Sequence, residues 1–193
     1  MFLVATVRQH LSRYVSDKAS VWLIAAFTAV CAIGLTLVGL VIYITVRFEF
    51  SFSIGAVVGL IHNLLLTVGI FCLLGRQLSM TSIAALLTVL GYSVNDTIVV
   101  FDRIRENRKL RGGRLDAVIA NDSLNQTLSR TVLTGITTIL CIIALLIFGS
   151  GEIFDFSLAL LIGVLVGTYS SVFIATPVML AVRPKVAAAP AGK

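Results

Sequence analysis

Five long apolar runs, at approximately residues 21–46, 53–74, 80–101, 132–149 and 157–181, are separated by short polar stretches. Each is close to or above the roughly 20 residues that cross the hydrocarbon core of a bilayer. No water reaches the backbone there, so every N–H and C=O must bond within its own segment, and a helix does this. The expected fold is therefore all-α, a polytopic transmembrane helix bundle with about five spans. Composition agrees: 58% of the 193 residues are hydrophobic, against about 45–50% in a soluble domain. The first run exceeds a single crossing, so it has to tilt or protrude. The runs leave no room for a separate soluble domain.

Lysine and arginine collect on the cytoplasmic side of membrane proteins, and this sets the expected orientation. Arg47, the seven residues Arg103, Arg105, Arg108, Lys109, Arg111, Arg114 and Arg130, and then Arg183, Lys185 and Lys193 fall on one side, eleven in all. Arg8, Arg13, Lys18 and Arg76 fall on the other. The expected layout is an outer flank at 1–20, a bundle over 21–182 with a cytoplasmic loop at 102–131, and a cytoplasmic tail at 183–193. The N terminus would lie outside and the C terminus in the cytoplasm. The net charge of +6 is then a positive-inside bias with contacts to anionic lipid headgroups, and no nucleic acid is implied. Charges at residues 8–18 interrupt the apolar start, and no small-residue cleavage site follows, so residues 1–20 are not expected to act as a signal peptide.

One acid lies inside an apolar run. Asp96 stands six residues before Asp102, where that run ends, which puts it about 9 Å inside the cytoplasmic edge at 1.5 Å per helical residue. A charged group in hydrocarbon costs about 2.5–3.5 kcal/mol, so its default reading is an ion or proton pathway with a partner elsewhere. Thr88, Tyr92, Asn95, Asp96, Val99 and Arg103 recur at helical spacing as one polar stripe. On the next run Thr127, Arg130, Thr134, Thr137, Thr138 and Cys141 form a second. Arg130 enters the membrane boundary from the same side as Asp96 and is the expected partner. Burial favours a neutral carboxyl and a guanidinium favours an ionised one. An acid balanced between them can load and release protons as helices move. The blander alternative has Arg130 snorkelling to headgroups.

Gly55/Gly59 and Gly163/Gly167 have the spacing that lets helices approach closely, and helix packing is their expected role. His62 and Asn63 sit mid-span. Imidazole titrates near neutrality but an amide carries no proton, so hydrogen bonding inside the bundle is the first reading and a relay the second. Cys31, Cys72 and Cys141 lack metal-like spacing and are expected as small packing residues. Asn121-Asp122-Ser123 with Gln126 has the form of a capping box, with Ser123 as N-cap. Gly112-Gly113 is expected to divide the charged loop into two short helices. Pro177 is expected to kink the last span, and Glu152 and Asp155 could attract cations to an entry. The Ala-rich tail at 187–191 is expected to be disordered. No nucleotide loop, nucleophile set, cofactor motif or metal cluster is found, so no enzyme chemistry is expected.

The run Gly91-Tyr92-Ser93-Val94-Asn95-Asp96-Thr97, continuing to Asn107, resembles the signature of SecF, the smaller half of the SecDF protein-export motor of the RND superfamily. Val46-Arg47-Phe48-Glu49-Phe50, Ser123 to Thr131 (SLNQTLSRT) and Phe156 to Ala175 resemble the same family in the same order. The resemblance implies an RND/SecDF-like bundle in the bacterial plasma membrane. It implies coupling of the proton motive force to polypeptide translocation, with SecD, the SecYEG translocon, SecA and YajC as partners. It also implies proton conduction by Asp96 and by Arg130 of the Arg130-Thr131 step. Tyr92, Ser93, Asn95, Thr97, Thr131, Thr134, His62 and Asn63 are expected as supporting polar residues. Relatives resemble His-Asp at 62–63, so Asn63 departs from the pattern. Family members usually carry an earlier span and an external domain, which residues 1–37 do not resemble. A non-conducting scaffold that stabilises SecD or the translocon is the competing expectation. Another RND exporter is disfavoured by the order of the motifs.

Overall fold

The computed structural model describes residues 18–47, 50–112 and 115–182. Most of the expected outer flank, Arg114 and the tail from 183 lie outside the described residues. The chain forms two compact units, Met1–Gly39 and Leu40–Lys193. In the first, the described part belongs to α1 (Lys18–Arg47), whose Leu23, Phe27, Val30 and Leu35 side chains are exposed. The second holds the end of α1, then α2 (Phe50–Leu73), α3 (Met80–Leu110), α4 (Ala117–Phe148), α5 (Glu152–Ser170) and α6 (Thr176–Val182). A π-helical turn, Ser171–Ala175, joins the last two.

Among the described residues, four helical runs are long and apolar enough to cross a membrane: α2, α3, α4, and α5 with α6 as Glu152–Val182. Within α1 the apolar stretch Val30–Val46 is shorter than these. The fold is thus an all-α bundle of four to five apolar helices. Its surface carries exposed Leu133, Ile136, Leu140, Ile147 and Phe148 on α4 alone. In water such a face would drive association, whereas lipid chains solvate it.

Helix α5 is central in the second unit, packing against α2, α3 and α4, while α6 packs on α2. The interior is layered. Toward the Leu110 end of α3, one apolar cluster contains Ile44, Phe52, Val100, Phe101, Ile104 and Met179. Phe52 and Phe101 meet there edge to face, with ring centroids 5.2 Å apart. Toward the Met80 end, a second contains Phe71, Val89, Ile142, Leu160 and Val164. Between them in the chain order of every spanning helix lie buried polar residues: Asn63 on α2, Ser93, Asp96 and Thr97 on α3, Thr131 on α4, and Ser170 on α5.

The charged segment is mostly helix rather than a loop containing two short ones. α3 runs to Leu110 and α4 begins at Ala117, so the spans expected to end at 101 and start at 132 continue as helix through it. Arg111 closes α3 by donating its N–H to the Asn107 carbonyl at 3.1 Å. Gly112 then adopts φ +75°, the left-handed conformation that ends many helices and that a side chain resists. The capping box expected at Ser123 is corrected. Asp116 is the N-cap of α4, its Oδ1 accepting from the Ile119 N–H at 2.8 Å. Ser123 lies two turns inside and donates back to the Ile119 carbonyl at 2.7 Å. Asp116 prevails because it borders the turn, where the first helical N–H groups are still free.

Pro177 stands just after the π turn. Lacking an N–H, it cannot bond to the carbonyl four residues back, and the widened turn absorbs that defect. Thr176 Oγ1 donates to the Ser171 carbonyl at 3.2 Å, five residues back.

Candidate functional site

Asp96 is 3% exposed and its Oδ2 has no hydrogen-bond partner. Ser93 and Thr97, also buried, lie a turn before it and beside it, and Thr97 Oγ1 donates to the Ser93 carbonyl at 3.0 Å. Tyr92, one turn earlier, is half-buried, and its ring packs against the apolar cluster of the Met80 end. Its hydroxyl is buried without a partner. Opposite is Gly135 of α4, where an added Cβ would lie 3.9 Å from that hydroxyl. Asn95 and Thr88 are exposed. The single stripe expected on α3 therefore divides, because the roughly 100° step between residues 95 and 96 turns one outward and the other inward.

The stripe expected on α4 is displaced by one residue. The buried line is Ser123, Thr127, Thr131, Gly135 and Ile142, whereas Arg130, Thr137 and Cys141 are exposed. From Ser123 to Gly135 small residues occupy the buried line, where α3 and α5 pack against it. Arg130 sits on the exposed flank of that line, one residue before buried Thr131. No direct ion pair joins the two among the described residues. Thr134, half-buried, shares its hydroxyl between the carbonyls of Arg130 and Thr131 at 3.0 and 3.1 Å.

Asn63 is fully buried on α2. Thr67 Oγ1 lies 2.7 Å from the Asn63 backbone carbonyl and 3.2 Å from Oδ1, and donates between them. The Asn63 Nδ2 has no partner. His62 turns the other way. Ser170 Oγ donates to the Gly59 carbonyl at 2.8 Å, so the contact of 3.3 Å between Ser170 Oγ and His62 Nδ1 has the ring nitrogen as donor. This ties α2 to the end of α5.

The four glycines lie at close contacts. An added Cβ on Gly55 would stand 2.5 Å from the Ala175 carbonyl oxygen, and on Gly59 3.1 Å from Ala175 Cβ. One on Gly163 would overlap Val89 of α3, and one on Gly167 would lie 2.9 Å from Asn63 Nδ2. Cys31, Cys72 and Cys141, expected as packing residues, are exposed instead. Glu152 and Asp155 are engaged: Glu152 accepts from Thr81 Oγ1 at 2.5 Å, and Asp155 pairs with Arg76 at 3.2 Å.

Several contributors were not singled out from sequence. Ser170 and Thr67 are small hydroxyl residues in apolar runs, and only the placement of Ser170 beside His62 and of Thr67 one turn after Asn63 gives them a role. Asn107 is buried, within the segment expected as a cytoplasmic loop. Its Nδ2 donates to Ser123 Oγ at 2.8 Å and Gln126 Oε1 at 2.9 Å, and Arg103 Nε reaches the same Gln126 oxygen at 2.5 Å. Among the described residues no group of three or more His, Cys, Asp or Glu side chains is placed to hold a metal.

Over residues 5–185 the chain matches the family described as protein export membrane protein SecD/SecF, C-terminal. It is 52% identical over 143 residues to the protein translocase subunit SecF of Koribacter versatilis, covering 74% of this chain and 35% of that protein. With SecF of Thermodesulfovibrio yellowstonii it shares 47% over 154 residues, 79% of this chain and 51% of the relative. A crystal structure of SecDF from Thermus thermophilus, described as a translocon-associated membrane protein, matches with a TM-score of 0.76 at 44% identity, over 79% of this chain and 21% of that one. The chain spans between about a third and a half of the length of these SecF relatives. On the family match, the identities and the shared fold, this chain belongs to the SecD/SecF family of protein-export membrane proteins, within the C-terminal membrane portion.

Proposed function

We propose that the chain acts as a SecF-like subunit that couples inward proton flow to polypeptide translocation, together with SecD and the SecYEG translocon and in contact with SecA and YajC. Asp96 is the proton carrier and Arg130 the charge that biases it. The observation that carries this reading is a buried carboxyl with an unpartnered oxygen, set between two apolar clusters. A buried polar atom left unpaired costs about 1–3 kcal/mol. Packing alone gives no reason to retain that cost, and a group that must exchange protons does. Arg130 on the flank, near but not bonded, leaves the carboxyl free to change state.

In this reading the turn between α3 and α4 faces the cytoplasm, as does the C terminus, and the N terminus lies outside. The basic residues Arg103, Arg105, Arg108, Lys109 and Arg111 at the end of α3 support that orientation.

The test is export in cells depleted of their own SecF and supplied with this chain, with Asp96→Asn and Arg130→Met compared at matched membrane levels. Co-purification of SecD is checked in parallel. Restored export that both substitutions abolish, with SecD still bound, is the expected result. Export at the parent level in both variants would leave the chain a non-conducting scaffold.

A further inference from the structure

Asp96 Oδ2 has a companion one turn away that is equally without a partner. The Tyr92 hydroxyl is buried and unpaired, although buried tyrosine hydroxyls usually find a partner. Its ring is held by the apolar cluster of the Met80 end, which contains Val89, Ile142 and Leu160. Its oxygen faces α4 at Gly135, where an added Cβ would lie 3.9 Å away. Tyr92 therefore stands where the apolar cluster meets the polar residues, and Asp96 follows about 6 Å further along the helix. Asn63 Nδ2, also unpaired, lies on the neighbouring helix against Ser93 and Gly167.

We propose that Tyr92 is the proton relay on the Met80-end approach to Asp96, its hydroxyl passing protons across the edge of the apolar cluster. This rests on the reading of Asp96 as proton carrier. A proton arriving from that end forms a new O–H bond at the phenol oxygen. The original phenol proton leaves toward Asp96 Oδ2 through intervening water, since the two groups are not in hydrogen-bond contact. The carboxylate becomes the acid, and the phenol is regenerated neutral. A ring locked in the apolar cluster keeps bulk water back, and the hydroxyl at its tip supplies the one polar step.

The full chain in lipid nanodiscs allows the test by infrared spectroscopy. The carboxyl band that vanishes in Asp96→Asn identifies Asp96, and its rate of exchange into heavy water is then followed. Tyr92→Phe keeps the ring and removes the unpaired hydroxyl. The expected result is a melting temperature equal to or above that of the parent, with Asp96 exchange slowed about 100-fold, the scale of a lost proton-transfer group. A ring-fluorinated tyrosine at position 92 keeps the shape, changes the acidity of the hydroxyl, and is expected to change the exchange rate. Exchange at the parent rate in both variants overturns the relay while leaving Asp96 as carrier. Absence of any exchanging band assignable to Asp96 overturns the underlying proton reading, and the relay with it.

Discussion

Gly167 of α5 sits against Ser93 of α3 so closely that a Cβ on the glycine would lie 3.2 Å from Ser93 Cβ and 3.3 Å from its Oγ. The same Cβ would stand 2.9 Å from Asn63 Nδ2, so this glycine is where three helices converge beside Asp96. Gly167→Ala must push α5 away or displace the Asn63 amide. It is expected to destabilise the bundle by about 1–3 kcal/mol, the usual cost of overpacking. Thermal unfolding in detergent, with Gly69→Ala as a comparison at a site with nothing within 4 Å of the added Cβ, measures the difference.

Asn107 fastens the ends of α3 and α4 together through its bonds to Ser123 and Gln126. Asn107→Ala removes both, and is expected to cost about 1–3 kcal/mol, since each net bond contributes about 0.5–1.5 kcal/mol. Ser123→Ala should cost less, because Asn107 keeps Gln126. Unfolding of the two variants and of the double variant checks the ordering.

Arg76 offers the contrasting case. It pairs with Asp155 at 3.2 Å and lies over the Phe154 ring at 5.0 Å, but its side chain is 44% exposed. Solvent screens such a contact, and Arg76→Ala is expected to change stability by about 1 kcal/mol or less. A melting temperature close to that of the parent, at low and high salt alike, is the expected measurement.

Gly112 carries φ +75° at the close of α3, and nothing lies within 4 Å of a Cβ placed there. Any cost of Gly112→Ala is therefore backbone strain alone, expected at about 1 kcal/mol. Gly112→Asn, which tolerates that conformation better, should recover part of it in the same unfolding assay.

The proposed orientation predicts accessibility. With the three native cysteines replaced, a cysteine at exposed Asn121 should react with an impermeant thiol reagent only from the cytoplasmic side, and one at exposed Ser150 only from the outside. Labelling of intact cells against inverted vesicles reads this directly, and the reverse pattern would invert the proposed topology.

Where chain chemistry is local, the sequence sufficed. Apolar runs in hydrocarbon have one way to satisfy their backbone, so helices were legible from hydropathy alone. An acid in such a run was conspicuous at Asp96, and glycine spacing pointed to the close approaches at Gly55, Gly59, Gly163 and Gly167. The α4 cap was misplaced at Ser123 because several capping residues compete there, and only the end of the preceding turn selects Asp116.

Which face of each helix turns inward was decided only by the tertiary structure. A polar stripe read from spacing has an uncertainty of about one residue, or roughly 100° of rotation, and that is the whole difference between buried Thr131 and exposed Arg130. Packing of α5 between its neighbours settled it, by burying the α4 line that carries Ser123, Thr127, Thr131 and Gly135. Hydrogen-bond vacancies were likewise invisible beforehand. That Asn63, Tyr92 and Asp96 each bury an unpaired polar atom depends on what other helices fail to offer them, and residues distant in sequence settle that only once the chain has folded.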